Sequence, residues 1–228
     1  MTTSLPDDGR VGPDAKPADT TPERHLRRDA ARNRERIVEA AREVFGEQGL
    51  QAPIEEVARR AGVGVATLYR RFPTRPELIA CAFASKMQDY ADAVEAALAR
   101  PEPWEGFSGL VERLCEMQAD DHGFTDVLTM TFPMAPEFEE IRDRVYLRFL
   151  ALTTRAKKAG RLRLDFTPED LPLILMANAG VITAAGDAAP DAWRRVVRLL
   201  LQALEAPARG PLPEPPTPEQ MLRAMRRS

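Results

Sequence analysis

The segment Ile54-Glu-Glu-Val-Ala-Arg-Arg-Ala-Gly-Val-Gly-Val-Ala-Thr-Leu-Tyr-Arg-Arg-Phe72 decides the fold of the N-terminal part of this chain. It predicts two short helices, 54–61 and 65–71, joined by a tight turn in which Gly62 takes a left-handed backbone. Ala58 is small enough to let the two helices approach closely. The side chains expected to pack between them are Val57, Val63 and Leu68. The segment therefore predicts a helix-turn-helix.

The second of these helices directs a set of residues away from the packing positions, namely Val65, Ala66, Thr67, Tyr69 and Arg70, behind an N-cap at Gly64. Methyl groups suit thymine methyls, and hydroxyl and guanidinium groups suit phosphates or base edges in a major groove. Turn geometry alone leaves two interpretations open, because helix-turn-helix pairs also occur as plain structural corners.

The distribution of charge favours the DNA interpretation modestly. Residues 23–75 contain 12 arginines and eight acidic residues, a net charge of +4, although the whole 228-residue chain carries −3. The rest of the chain therefore carries −7. A basic N-terminal module joined to an acidic C-terminal one is expected if only the first meets phosphate.

The apolar period is helical along the whole central part, so the fold class is all-α, with about nine helices and no alternating strand pattern. Thr74 and Thr167, each followed three residues later by a carboxylate, predict capping boxes, and Pro190 fits a first helical residue. The predicted helices span 29–48, 54–61, 65–71, 75–99, 104–119, 124–131, 136–159, 168–186 and 190–205.

Proline enrichment marks both ends of the chain as tails that bury too little apolar surface to fold. We therefore expect a disordered N-terminal tail at 1–22, a helix-turn-helix domain at 23–75 and a helical domain for ligand binding and dimerisation at 76–206. A Pro-rich, disordered tail at 207–228 follows.

Composition restricts the function class. Two cysteines and two histidines offer little for a disulfide framework, a metal site or acid–base catalysis, so no cofactor and no enzymatic activity are expected. The Asp120-Asp121-His122 run has no second cluster to complete an active site. With no signal-peptide pattern visible at the N-terminus, a cytoplasmic location is expected and no membrane contact.

The segment Ala61-Gly-Val-Gly-Val-Ala-Thr-Leu-Tyr-Arg-Arg-Phe-Pro-Thr-Arg-Pro-Glu-Leu78, preceded by Arg34-Glu-Arg-Ile-Val-Glu-Ala-Ala-Arg-Glu-Val-Phe45 and Gly49, resembles the TetR (tetracycline-repressor-like) family over roughly residues 29–80. The resemblance implies a homodimeric DNA-binding regulator that releases its operator when a small molecule binds. The remainder of the chain matches that family only in length and helical character.

The resemblance also assigns roles to single residues. Thr67, Tyr69 and Arg70 stand where family members contact phosphates, and Val65 and Ala66 at base-facing positions. Arg75 replaces the usual lysine beside the DNA backbone, and Arg34 matches another backbone contact. Three departures concern Ala52-Pro53, which replaces a hydroxyl residue, Gly64, which replaces a frequent serine, and Ala66, which replaces a frequent glycine.

Reading a palindrome requires two copies about 34 Å apart. Apolar stripes on the last two long helices fit a dimer interface or the chain's own core, and the resemblance favours a four-helix dimer bundle. The candidate interface residues are Leu175, Ala179, Ile182, Trp193, Val197, Leu200, Leu201 and Leu204.

Soft and aromatic side chains between these helices and the DNA module predict an adaptable apolar pocket, although each such residue also fits an ordinary core. The candidate lining residues are Met87, Tyr90, Trp104, Phe107, Met117, Phe124, Met130, Phe132 and Asn178. They suggest a hydrophobic or aromatic effector.

The sequence thus predicts a ligand-responsive transcriptional regulator, with repression favoured over activation or dual regulation. Its expected partners are double-stranded operator DNA, a small-molecule effector and a second copy of the chain. A helical interaction protein or small-molecule-binding protein without DNA binding is the alternative from a different class.

Overall fold

A computed structural model describes the backbone of residues 22–129 and 136–225 and the side chains of 29–121, 123–129 and 139–225. Within these ranges the chain is all-α, as predicted, with ten α-helices and no strand. The helices are α1 (Pro22–Gln48), α2 (Ile54–Ala61), α3 (Val65–Arg71), α4 (Arg75–Ala99), α5 (Pro103–Asp120), α6 (His122–Thr129), α7 (Pro136–Lys158), α8 (Asp170–Ala185), α9 (Ala192–Leu204) and α10 (Pro218–Met225).

Local signals set several of the helix boundaries. The predicted bounds of α2 and α3 are those observed. Thr74 caps α4 as predicted, its hydroxyl accepting the Glu77 N–H at 3.3 Å. At α8 only half of the predicted box forms, because the Asp170 carboxylate accepts the Thr167 N–H while the Thr167 hydroxyl is buried without a partner. Helix α8 therefore starts two residues later than predicted.

The first three helices form one unit around the C-terminal half of α1. Ile37, Val44 and Phe45 of α1 are fully buried, and α1 packs on α2, which carries the short α3. Helix α4 joins this unit to the rest of the chain. It contacts α1, where the Arg42 guanidinium donates to the Ala82 carbonyl at 3.2 Å, and it also packs on α5 and α7.

The C-terminal body surrounds α5, which contacts α4, α6, α7, α8 and α9. Four aromatic rings pack in its interior, with centroid distances of 5.8 Å for Trp104 and Phe107, 5.2 Å for Phe107 and Phe166, and 6.4 Å for Phe149 and Phe166. Such offset and edge-on pairs add directional packing to apolar burial.

The expectation of a disordered tail from residue 207 is wrong for the part that the structure describes. The buried Arg163 guanidinium donates to the Gly210 carbonyl at 2.6 Å, and the Asp165 carboxylate accepts the Leu212 N–H at 2.8 Å. Helix α10 follows and buries Met221. A composition argument cannot anticipate this attachment, because its partners lie about 45 residues away in the sequence.

Helix α8 and the turn after it (residues 170–188) form, within the described ranges, a single helical segment apolar and long enough to cross a membrane, judged by length and composition alone. Only 22% of the tested stretch is buried in the chain. A large apolar surface therefore remains uncovered on this helix, and such surfaces mark interaction sites.

Candidate nucleic-acid interface and internal cavity

The turn between α2 and α3 has the geometry that its glycines predict. Gly62 lies in the left-handed region with φ 65° and ψ 37°, and a Cβ there would come within 2.6 Å of the Arg36 guanidinium. Gly64 is extended and opens α3, its carbonyl accepting the N–H groups of Thr67 and Leu68 at 2.8 and 3.1 Å. Another residue at position 62 would strain the backbone and clash.

Helix α3 buries Leu68 and turns its remaining faces outward. Ala66, Tyr69 and Arg70 are exposed, Tyr69 to 48%, while Thr67 is half-buried. Val65 packs partly against the core. The residues predicted to face DNA therefore lie together on the solvent side of one seven-residue helix.

Arg34 lies where α1 passes the end of α3. Its guanidinium donates to the Cys81 sulfur at 3.0 Å and stacks 5.1 Å from the centre of the Phe72 ring. The side chain stays exposed, so its positive charge remains at the surface beside α3. The contact with DNA predicted for this residue remains a prediction.

Arg75, at the start of α4, is engaged inside the chain. Its guanidinium donates to the carbonyl oxygens of Leu50 and Ala52 at 2.6 and 2.7 Å and lies 5.7 Å from the centre of the Phe45 ring. The residue thus ties α4 to the loop between α1 and α2. Sequence reasoning assigned it only to the DNA backbone and missed this positioning role.

The arginines of α2 are neutralised by glutamates. Arg60 pairs with Glu43 at 3.0 Å and Glu47 at 3.1 Å, and Arg59 pairs with Glu56. The hydrogen bond from Arg59 lowers the pKa of the Glu56 carboxyl below its usual value. The N-terminal module therefore does not owe its surplus positive charge to α2.

The loop between α1 and α2 is held from a second side by α6. The Asp126 carboxylate accepts the Leu50 N–H at 2.7 Å, so Leu50 is bonded through its N–H to α6 and through its carbonyl to Arg75 of α4. Gly49 precedes it with φ 78°, and a Cβ there would lie 2.9 Å from the same carboxylate. We call this pair of contacts the Leu50 clamp.

Close approach of α6 to α1 depends on Gly123. A Cβ at this position would lie 2.5 Å from the Phe45 carbonyl oxygen and 2.6 Å from the Phe83 ring. Backbone and an aromatic ring cannot move aside easily, so a larger residue would push α6 away. This contact is not visible in the sequence, because Phe45 and Gly123 lie about 80 residues apart.

A cavity of about 260 Å³ lies between α4, α6, α7 and α8. By comparison, a cavity of about 150 Å³ holds benzene. Of the predicted lining residues, the structure places Met87 and Tyr90 here. The other residues around it are Val127, Leu128, Arg142, Asp143, Tyr146, Phe149, Pro168, Leu171, Pro172 and Leu175.

Four polar side chains line this cavity, namely Tyr90, Arg142, Asp143 and Tyr146, and its other lining residues are apolar. Burial raises the pKa of the Tyr90 hydroxyl to about 12, and the positive charge of Arg142 lowers it in part. The phenol is therefore a neutral hydrogen-bonding group at physiological pH. Arg142 was missed from the sequence, since an arginine in α7 is the expected pattern of a solvated helix face.

Among the described residues, the other predicted pocket residues do not line this cavity. Trp104 and Phe107 belong to the aromatic cluster, and Met117 and Phe124 are fully buried core residues. Met130 and Phe132 lie outside the described residues. The prediction did not separate these four residues from the cavity lining, because helical spacing marks a buried face without showing what that face meets.

Asn178, also predicted at the pocket, joins α8 to α5 instead. Its amide donates to the Gln118 side-chain oxygen at 3.0 Å and to the Cys115 carbonyl at 3.2 Å, and Gln118 donates to the Leu175 carbonyl at 3.3 Å. The Asn178 side-chain oxygen is buried without a partner. This polar pair fixes the register of the two helices.

The predicted dimer-interface residues fall on two different faces. Five of them, Leu175, Trp193, Val197, Leu201 and Leu204, are buried in the chain's own core, so they offer little surface to a partner. Ala179, Ile182 and Leu200 remain half-buried. Other apolar residues of the two helices keep some solvent exposure: Leu173, Ala177 and Leu199 are exposed, and Met176, Val181 and Val196 are half-buried. We call these six residues, with Ile182 and Leu200, the α8–α9 face.

The buried Cys115 lacks the features of a reactive thiol. Burial raises the pKa of the Cys115 thiol to about 12, which suppresses the thiolate at neutral pH. Among the described residues, no group of three or more His, Cys, Asp or Glu side chains could hold a metal ion.

Known protein sequences match this chain in its N-terminal module. Residues 37–81 match the sequence model of the family described as "Bacterial regulatory proteins, tetR family". An HTH-type transcriptional regulator of Staphylococcus aureus is 39% identical over 54 residues, which cover 23% of this chain and only 29% of that protein.

Solved structures match over a longer range. A TetR transcriptional regulator from Streptomyces coelicolor is 31% identical, with 77% of this chain and 99% of that chain covered and a TM-score of 0.48. RolR, solved in complex with the ligand resorcinol, is 19% identical with a TM-score of 0.51, over 83% of this chain and 100% of its own. The second likeness concerns the fold alone.

Proposed function

Because the chain belongs to the TetR family of bacterial transcriptional regulators, we propose that it is a repressor that binds operator DNA as a homodimer and is released by a small effector. The observation that carries this proposal is the outward face of α3. That face presents Thr67, Tyr69 and Arg70 beside a rigid turn. A regulator of this kind needs no catalytic group.

The proposed contacts with DNA are of two kinds, to phosphates and to base edges. The Thr67 and Tyr69 hydroxyls and the Arg70 guanidinium bind phosphates, which position the protein, while Val65 and Ala66 meet base edges. Ala66 and Gly64 add little bulk at the groove, so changes at these small residues are expected to alter sequence preference. Arg34 adds a phosphate contact at the end of α3.

Arg75 acts chiefly by positioning. Its bonds to Leu50 and Ala52 hold the loop from which α2 starts, and thereby fix the angle of the helix-turn-helix to α4. A phosphate can still approach the half-buried guanidinium, because an arginine carries five N–H donors. Loss of Arg75 is therefore expected to weaken binding to all duplex sequences alike.

A second copy of the chain covers the α8–α9 face. The uncovered surface of α8 is apolar over its length, and Ala177 and Gly180 permit close helix approach. Two copies of this helix pair form a four-helix bundle and set two α3 helices about one DNA turn apart. Sedimentation at micromolar concentration tests this arrangement, and a stable monomer would contradict it.

The cavity between α4, α6, α7 and α8 receives the effector. Its size suits a single aromatic ring with substituents, and its apolar wall with a phenol at Tyr90 suits a phenolic or aromatic compound. The resorcinol complex of RolR, a protein of the same fold, is consistent with this class. Resorcinol is therefore the first probe, with the melting temperature as readout.

Effector and DNA communicate through α6. Val127 and Leu128 line the cavity, and the preceding residue Asp126 holds Leu50 of the DNA module. An effector that displaces α6 or α4 alters the Leu50 clamp. It releases DNA only to the extent that it binds the released conformation more tightly.

In vitro selection of random duplex DNA at a stated salt concentration tests the proposal. An enriched inverted repeat is expected, and a variant with Thr67→Ala and Tyr69→Phe, tested on the selected duplex, should bind it more weakly. No enrichment by folded, dimeric protein would favour the alternative of a small-molecule-binding protein without DNA binding. Whether the regulator represses or activates is then read from the position of the repeat relative to the promoter.

A further inference from the structure

Helix α1 continues far beyond the core that stabilises it. It begins at Pro22, but among its described side chains, which start at residue 29, none before Ile37 is buried. The family match also starts at Ile37, so the preceding fifteen residues lie outside the recognised helix-turn-helix. We call residues 22–36 the α1 extension.

The α1 extension is strongly basic. It contains six arginines and three acidic residues in fifteen positions, and Leu26 is its only large aliphatic residue. The arginines are Arg24, Arg27, Arg28, Arg32, Arg34 and Arg36. The sequence of this segment has no apolar stripe, which is the pattern that a helix uses to pack on the body of a protein. Its composition instead suits a polyanionic surface.

Two contacts place the base of the extension beside the helix-turn-helix. The Arg36 guanidinium donates to the carbonyl of Ala61, the last residue of α2, and Arg34 stacks on Phe72, which ends α3. From Arg34 the helix runs on for twelve residues to Pro22, which is about 18 Å at the rise of an α-helix. The extension therefore starts at the DNA-facing module and projects from it.

The ion pairs in the described part of the chain also distinguish the α1 extension from the rest of the N-terminal module. Arg42, Arg59 and Arg60 are neutralised by glutamates of α1 and α2. Among the described residues, no ion pair engages Arg32 or Arg34, and Arg70 of α3 also has none within this range. Of the described arginines without an ion pair, Arg32 and Arg34 lie on the α1 extension and Arg70 lies on α3.

We propose that the α1 extension is a second DNA-binding element, which contacts backbone phosphates flanking the groove occupied by α3. The inference rests on the proposed DNA-binding function. The extension is expected to raise the affinity for DNA of any sequence, because phosphate contacts carry no base information. Each neutralised phosphate releases counterions, so the extension should contribute directly to the salt dependence of binding.

The test compares the full-length protein with its Arg24→Ala, Arg27→Ala, Arg28→Ala triple variant on a fluorescent, mixed-sequence duplex several helical turns long. These positions precede the buried core, so unchanged melting temperatures are expected. The logarithm of the association constant is measured against the logarithm of salt concentration. Three lost contacts in each subunit of a dimer would lower the magnitude of the slope by about 5, at about 0.9 per contact.

Two further variants distinguish a loss of phosphate contacts from a general loss of positive charge and from a structural effect of the substitutions. The control Lys158→Ala, Arg209→Ala, Arg223→Ala removes the same charge from exposed positions of the C-terminal part and should lower the slope by less than about 1. Substitution of Arg24, Arg27 and Arg28 by lysine keeps the charge and should restore most of the slope.

The outcomes are distinguishable. Salt-dependent binding by the wild-type protein with an unchanged slope in the alanine variant would overturn the proposed role of the extension while leaving the DNA-binding function intact. Equal losses in the alanine variant and the control would show only an effect of net charge and would also overturn it. Absence of salt-dependent binding by the folded wild-type dimer would refute the proposed function itself.

Discussion

Replacing Asp126 by alanine removes one side of the Leu50 clamp, and its cost follows from the contact. The carboxylate accepts the Leu50 N–H at 2.7 Å, and Leu50 is 1% exposed. A buried donor left without a partner costs about 1–3 kcal/mol. Asp126 itself is half-buried, so water can compensate in part. We expect a loss of about 1–2 kcal/mol in the free energy of unfolding.

For a chain of this size that loss lowers Tm by about 2–8 °C. It is measured by calorimetry at one fixed protein concentration, because the proposed dimer would make Tm concentration-dependent. Asp126→Asn keeps an oxygen acceptor without the charge, and about half of the loss is expected. Asp120→Ala removes an exposed carboxylate at the end of α5 and serves as the control. If Asp126→Ala and Asp120→Ala agree within about 0.5 kcal/mol, the Leu50 clamp does not stabilise the module.

Three further predictions concern DNA contact, assembly and the C-terminal tail. Tyr69→Phe removes an exposed hydroxyl and should weaken binding by about 1–2 kcal/mol on every duplex with Tm unchanged; a loss confined to some sequences, seen in competition titrations, would contradict a phosphate role. Leu199→Glu, which places a charge on the proposed interface, should yield monomers in sedimentation, whereas Leu164→Glu, at a residue 79% exposed outside the α8–α9 face, should not. The pKa of Asp165 is lowered by its hydrogen bonds from Arg163 and the Leu212 N–H, so the stability it provides is present above its unfolded pKa of about 3.9 and is lost as pH falls further. Trypsin cleavage after Arg209 should accordingly become faster in Asp165→Asn at neutral pH, and an unchanged rate would show that this carboxylate does not hold the tail.

Features of the helix-turn-helix could be predicted because they are local. The left-handed Gly62, the bounds of α2 and α3 and the Thr74 cap depend on residues within a few positions of one another. Backbone conformation and capping are decided at that range, whatever the rest of the chain does.

The face of each helix that is buried was harder to assign. On α9 the sequence shows an apolar stripe, but Trp193 and Val197 pack inward while Leu199 stays exposed. A helical period reveals that one face is buried without identifying what covers it. A helix that packs both on its own chain and on a second copy has two apolar faces. The expected interface therefore contained residues of the chain's own core.

The sequence by itself determined the all-α class, the recognition helix with Thr67 and Tyr69 on its surface and the surplus of arginine in the N-terminal module. Only the tertiary structure decided that Arg75 and Asp126 hold Leu50 from opposite sides, and that the cavity includes Arg142 and Tyr146. These contacts join segments about 25 to 80 positions apart. A hydrogen bond or a cavity wall requires atoms to meet within a few ångströms, and that meeting is fixed by how whole helices pack, not by the neighbours of a residue in the chain.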